Sequence, residues 1–139
     1  MLLHAFSLVS TVLLLMSLGF FVLGSTPLLV LKHDVPMDSR VIRQVFHYCY
    51  RVVAVMATAA TIAFGLAGRP VLSACLACVA LLALALHHVM LTRMDALRTT
   101  MHDGDRAAIT RFRKLHVTGI AINLTQLVAL IWAMTKIAL

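Results

Sequence analysis

The sequence predicts an all-α integral membrane protein, a four-helix bundle in a single domain. Three observations predict it. Of 139 residues, 62% are hydrophobic and only 12% are charged, whereas a typical soluble domain carries about 25% charged residues. The apolar residues fall in four long runs, each close to the roughly 20 residues that cross a hydrocarbon core. The runs do not alternate apolar with polar residues, as the strands of a membrane barrel do. Helices satisfy their own backbone groups in lipid, so four helices account for the pattern. These runs use nearly the whole chain and leave no length for a soluble catalytic module.

The first span is expected over residues 5–31, which contain no Lys, Arg, Asp, Glu or His. Its apolar core is too long for a signal peptide and no basic residue precedes it, so it reads as a retained span. Residues 32–39 hold Pro36 and two aspartates and read as a short connection. Ser39 is expected to cap the next helix, which begins near Val41 and crosses the membrane over 45–68. Gly68-Arg69-Pro70 reads as a tight turn, since glycine ends helices and proline starts them. The third span, 70–92, is uncharged when His87 and His88 are neutral. Residues 94–101 contain no helix breaker, so the helix should continue. Asp103-Gly104-Asp105 then marks a turn. A helix restarting near Arg106 leads into the fourth span, 115–135. A helical hairpin is therefore expected to extend beyond spans three and four.

Charge gives the bundle an expected orientation. The formal net charge is +7, but it sits at loop ends and is no nucleic-acid signal. Lys32, Arg40, Arg43, Arg51, Arg93, Arg98, Arg106, Arg111, Arg113 and Lys114 flank the first and third connections; only Arg69 and Lys136 lie at the other end. The positive-inside rule then places both connections and the hairpin in the cytoplasm, with both termini on the non-cytoplasmic side. A bacterial cytoplasmic (inner) membrane suits this pattern. Six of the seven histidines fall at the cytoplasmic end.

Polar residues inside apolar helices are the candidates for chemistry. Phe112, His116, Gly119, Asn123 and Gln126 recur at steps of four, three, four and three, which keeps them on one helix face. Asn123 and Gln126 belong near mid-membrane, where polar groups are costly against lipid, so this stripe should face the bundle interior. It reads either as a seam reaching a ligand or redox centre, or as interhelical hydrogen bonding worth about 0.6–2 kcal/mol per contact. On span two, Arg43, His47, Arg51 (or Tyr50), Ala54, Thr58, Thr61, Gly65 and Gly68 share a face. The small outer half admits a close neighbour. Arg51 either snorkels to lipid phosphate or holds an anionic group such as a carboxylate or propionate. His87 and His88 are adjacent and point about 100° apart on a helix. His88, Thr92 and Asp95 share a face, where the carboxylate would orient an imidazole. Together with His33, these histidines are expected to surround one cytoplasm-facing site; neutral imidazole is a common metal and haem ligand. They read equally as interfacial residues.

Cys75 and Cys78 form a C-x-x-C on span three. Thiolates suit copper(I), although cysteine is also a small apolar residue. There is no Walker loop or dinucleotide fingerprint. The chain has no glutamate, which excludes di-iron sites built on Glu-x-x-His.

Phe112-x-x-Leu115-His116, followed by Gly119 and Asn123-Leu124, resembles the last helix of a family of small four-span membrane proteins. Phe46-His47-Tyr48-x-Tyr50 is similar to that family's entry to span two. The family is related in pattern to the copper-resistance-D-like group and, distantly, to the haem-binding HemJ-type protoporphyrinogen oxidase. His4, and the segment from Pro27 to His33, look similar to the HemJ-type first helix. The chain departs from it at Leu28, where an Arg is expected, and in the last span, where His116 and Asn123 stand in place of Asn-Glu-x-Pro. The resemblance therefore implies the four-helix bundle rather than the oxidase activity.

The expected function is that of a small polytopic inner-membrane protein with a His-, Arg- and Tyr-lined interior site. Its expected cofactor-binding residues are His47, His116, His87, His88, Arg43, Arg51 and Asn123, with haem b or a transition metal as the suited cofactor. His116 and His47 are the expected metal ligands, with Cys75 and Cys78 for copper. No motif assigns a catalytic residue or decides whether the chain is an enzyme. The alternatives are copper handling and an accessory or assembly subunit of a membrane complex, or a homo-oligomer, docking through Ser10, Ser17 and Gly24. The expected partners are the lipid bilayer and other membrane chains, with no nucleic acid.

Overall fold

A computed structural model describes residues 2–30, 36–101 and 105–137. It contains four long helices: α1 (Leu2–Ser25), α2 (Pro36–Leu66), α3 (Pro70–Met101) and α4 (Arg106–Ile137). All four are long and apolar enough to cross a membrane. His33, Asp103 and Gly104, which entered the expectations above, lie outside the described residues.

The helix ends follow local chemistry. α1 stops at Ser25 and a single 3-10 turn (Pro27–Val30) follows, so the membrane-length segment His4–Val30 agrees closely with the expected first span while its last turn is not α-helical. Pro27 has no N–H to donate, and its ring would clash with the preceding turn of a continuing helix. α2 begins at Pro36, earlier than Val41, so Ser39 is not its cap. The Ser39 hydroxyl instead donates to the Pro36 carbonyl at 3.0 Å and accepts from Arg98 Nε at 3.3 Å. Proline suits a first helical turn because the N–H it lacks would have no helical partner there. The turn between α2 and α3 is a Schellman motif. Gly68 N–H donates to Gly65 and Arg69 N–H to Phe64, with Gly68 at φ 72°, a left-handed conformation that costs other residues their Cβ clearance. Asp105 caps α4 by accepting from the Ala107 N–H at 2.8 Å.

The helices form a ring in chain order, with α4 closing against α1. α2 and α3 are antiparallel: Ser39 meets Arg98, Arg43 meets Asp95, His47 meets His87 and the Thr61 carbonyl meets Ser73. Ala54, Ala57, Ala60 and Ala63 line the buried face of α2, and the Ser73 hydroxyl donates to the Thr61 carbonyl at 2.8 Å. Small side chains permit that approach. Across the ring, α2 and α4 run parallel, with Phe46 opposite His116 and Tyr50 opposite Asn123.

The exterior is apolar and part of the interior is polar. Phe20 is 81% exposed, while Asn123 is 0% exposed. In water this would leave large apolar patches uncovered; in a bilayer it puts hydrocarbon against lipid and the polar groups inside.

Candidate functional site

The expected site residues divide between two places. The first is the α2–α3 face. His47 Nδ1 and His87 Nε2 lie 3.1 Å apart, with ring centroids separated by 5.0 Å. Arg51 Nη1 approaches His47 Nε2 at 3.5 Å. One helical turn away, Arg43 grips Asp95 with two bonds of 3.0 and 2.9 Å, and Arg98 Nη1 stands 3.6 Å from the same carboxylate. His47 and His87 are half-buried and Arg51 is exposed, so this cluster opens outward.

The second place is the interior. His116 is fully buried and packs edge-on against Phe46, with centroids 5.6 Å apart. Phe46 also meets Phe21 edge-to-face and Tyr50 at a tilt. Any Cβ at Gly119 would overlap the Phe46 ring, so the glycine is what lets this ring lie against α4. Asn123 Nδ2 donates to the Gly119 carbonyl at 2.6 Å and reaches the Tyr50 hydroxyl at 3.4 Å. The stripe expected on α4 does face inward: Phe112, His116, Asn123 and Gln126 are all buried.

The single histidine site expected from sequence therefore separates. Phe46 and His47 are neighbours on α2 and point about 100° apart. Phe46 carries the contact to His116, while His47 turns toward α3 and pairs with His87. Of the adjacent pair, His87 faces α2 and His88 is exposed. Asp95, expected beside His88, forms its ion pairs with Arg43 and Arg98 instead. That engages Arg43, expected to hold an anionic ligand. Cys75 and Cys78 are exposed free thiols, and Cys49 is buried. No group of three or more metal-ligating side chains occurs among the described residues.

Two buried hydroxyls on α1, Ser7 and Thr11, escaped the sequence reading, and Ser10, expected as a docking position, is buried on the same face rather than offered to a partner. Ser7, Ser10 and Thr11 are at most 4% exposed. Their i, i+3, i+4 spacing in an otherwise apolar helix was the available signal, since it puts them on one face.

The chain matches no known family model, no curated protein and no solved structure.

Proposed function

We propose that this protein is a small inner-membrane protein that binds a transition metal, or the iron of haem, at the His47–His87 pair. The single observation behind the proposal is the 3.1 Å separation of two imidazole nitrogens from different helices. Two nitrogen ligands at about 2.0–2.1 Å from one metal ion lie about 2.9–3.4 Å apart, between right-angled and tetrahedral geometry. Coordination through His47 Nδ1 places the ring proton on Nε2, which then no longer accepts from Arg51. The freed guanidinium suits an anionic co-ligand or a propionate. Because the pair supplies two ligands, the remaining positions belong to solvent, a porphyrin or an exogenous donor; haem would take one of the two imidazoles.

The site's cytoplasmic placement rests on the basic residues around the first and third connections. The resemblance to copper-resistance-D-like membrane proteins is compatible with a metal ligand.

A second reading has its own support. Ser17 and Gly24, expected as docking positions on α1, line an apolar groove of about 670 Å³ between α1 and α2. Such a groove suits an accessory subunit seated against a larger membrane complex.

Gentle purification from the native membrane separates the two. The expected outcome is a Soret band, or near-stoichiometric iron, copper or zinc, abolished in His47→Ala and in His87→Ala and retained in His116→Ala. A colourless, metal-free protein that co-purifies with one defined partner sinks the first reading and supports the second.

A further inference from the structure

The interior of the bundle holds polar atoms that the protein does not satisfy. Asn123 Oδ1 and Gln126 Nε2 are buried with no hydrogen-bond partner among the described residues. Asn123 is 0% exposed and Gln126 is 8% exposed. Asn123 cannot be turned over to resolve this, because Nδ2 is the atom that meets the Gly119 carbonyl, and a flipped amide would set two oxygens together. The two residues are three apart on α4, on the same face. One needs a donor and the other an acceptor. A water molecule supplies both, and buried waters typically bridge such groups with about three hydrogen bonds.

Toward one end of the bundle the buried face of α1 is polar. A cleft of about 230 Å³ opens there, lined by His4, Ser7, Leu8, Phe64, Ala67, Arg69 and Met134. It joins the start of α1 to the end of α4, so the two helices are antiparallel. Counting inward from Met134, Gln126 lies about 12 Å along α4. The intervening buried face of α1 carries Ser7, Ser10 and Thr11. Thr11 Oγ1 donates to the Ser7 carbonyl at 2.7 Å and Ser7 Oγ to the His4 carbonyl at 2.9 Å. Each hydroxyl oxygen still has lone pairs to accept from water. Beyond Thr11 the same face becomes Leu14, Leu18 and Phe21, and Phe46 and Phe112 are also fully buried.

We propose that Asn123 and Gln126 hold an internal water site, supplied from the His4–Arg69 cleft along the Ser7–Ser10–Thr11 face. The bundle then carries a hydrated half-channel that ends at Tyr50 and is closed beyond it by Leu18, Phe21 and Phe46. This site is separate from the His47–His87 pair and stands or falls independently of it.

The test is solid-state NMR of the isotope-labelled full chain in lipid bilayers. Magnetisation transferred from water should reach the Asn123 and Gln126 side-chain amides, and both should exchange in D₂O, while the backbone amides of Leu14 and Leu18 stay protected. Thr11→Leu should slow the side-chain exchange about tenfold or more. Dry, protected side-chain amides in the unmodified protein overturn the water site. Wet amides whose exchange rate is unchanged by both Thr11→Leu and Ser7→Leu overturn the route from the cleft.

Discussion

At the scale of single residues, Gly119 and Phe46 set the geometry of the interior. The Phe46 ring is fully buried and occupies the space a Cβ at 119 would need. Overpacking a closed site typically costs about 1–3 kcal/mol, so Gly119→Ala should lower the unfolding midpoint measured in detergent. Phe46→Leu in the same chain should restore part of the loss, because the two positions share one space and their effects should not add. Equal losses with and without Phe46→Leu would show that the contact is not the cause. The Arg43–Asp95 pair is half-exposed on both sides; such pairs contribute little to stability. Its role is geometric: it occupies Arg43, one turn from His47 on α2, and ties α2 to α3 at Asp95, about two turns from His87.

At the scale of elements, the antiparallel α2–α3 pair carries the outward-facing cluster, and its turn is built on one backbone conformation. Gly68 at positive φ allows Arg69 and Gly68 to satisfy the last carbonyls of α2. A Cβ in that conformation costs about 1–2 kcal/mol. Gly68→Ala should therefore destabilise the bundle by that amount in reversible unfolding, although nothing lies within 4 Å of a Cβ at this position. Unchanged stability would mean that the turn relaxes to another conformation. The helix ends were only partly legible. The apolar run of the first span continues beyond Pro27, but α1 itself stops at Ser25, because Pro27 lacks the N–H that would continue the helix, and Pro27–Val30 forms a 3-10 turn. Ser39 has a typical capping side chain, but Pro36 starts α2 three residues earlier and frees Ser39 to meet Arg98.

At the scale of the whole molecule, four membrane-length helices enclose a polar layer and expose apolar side chains. The asymmetric distribution of basic residues carries the proposed orientation. A reporter fused after Leu139 should be active only on the non-cytoplasmic side, and one placed near residue 103 only in the cytoplasm. The reverse result would invert the bundle and move the His47–His87 pair to the opposite face of the membrane.

The helical spans and the inward face of α4 were readable from sequence alone, because both depend on local quantities. Apolar length decides whether a helix crosses lipid, and spacing along one helix decides which residues share a face. Phe112, His116, Asn123 and Gln126 could thus be placed inside before any neighbour was known. What those faces meet is a different matter. His47 pairs with His87 rather than His116, and Asp95 with Arg43 rather than His88. Only the order of helices around the ring, and the rotation of each about its axis, decide such partners. Packing sets that rotation through contacts such as Gly119 on Phe46 and Thr61 on Ser73, between residues far apart in the chain.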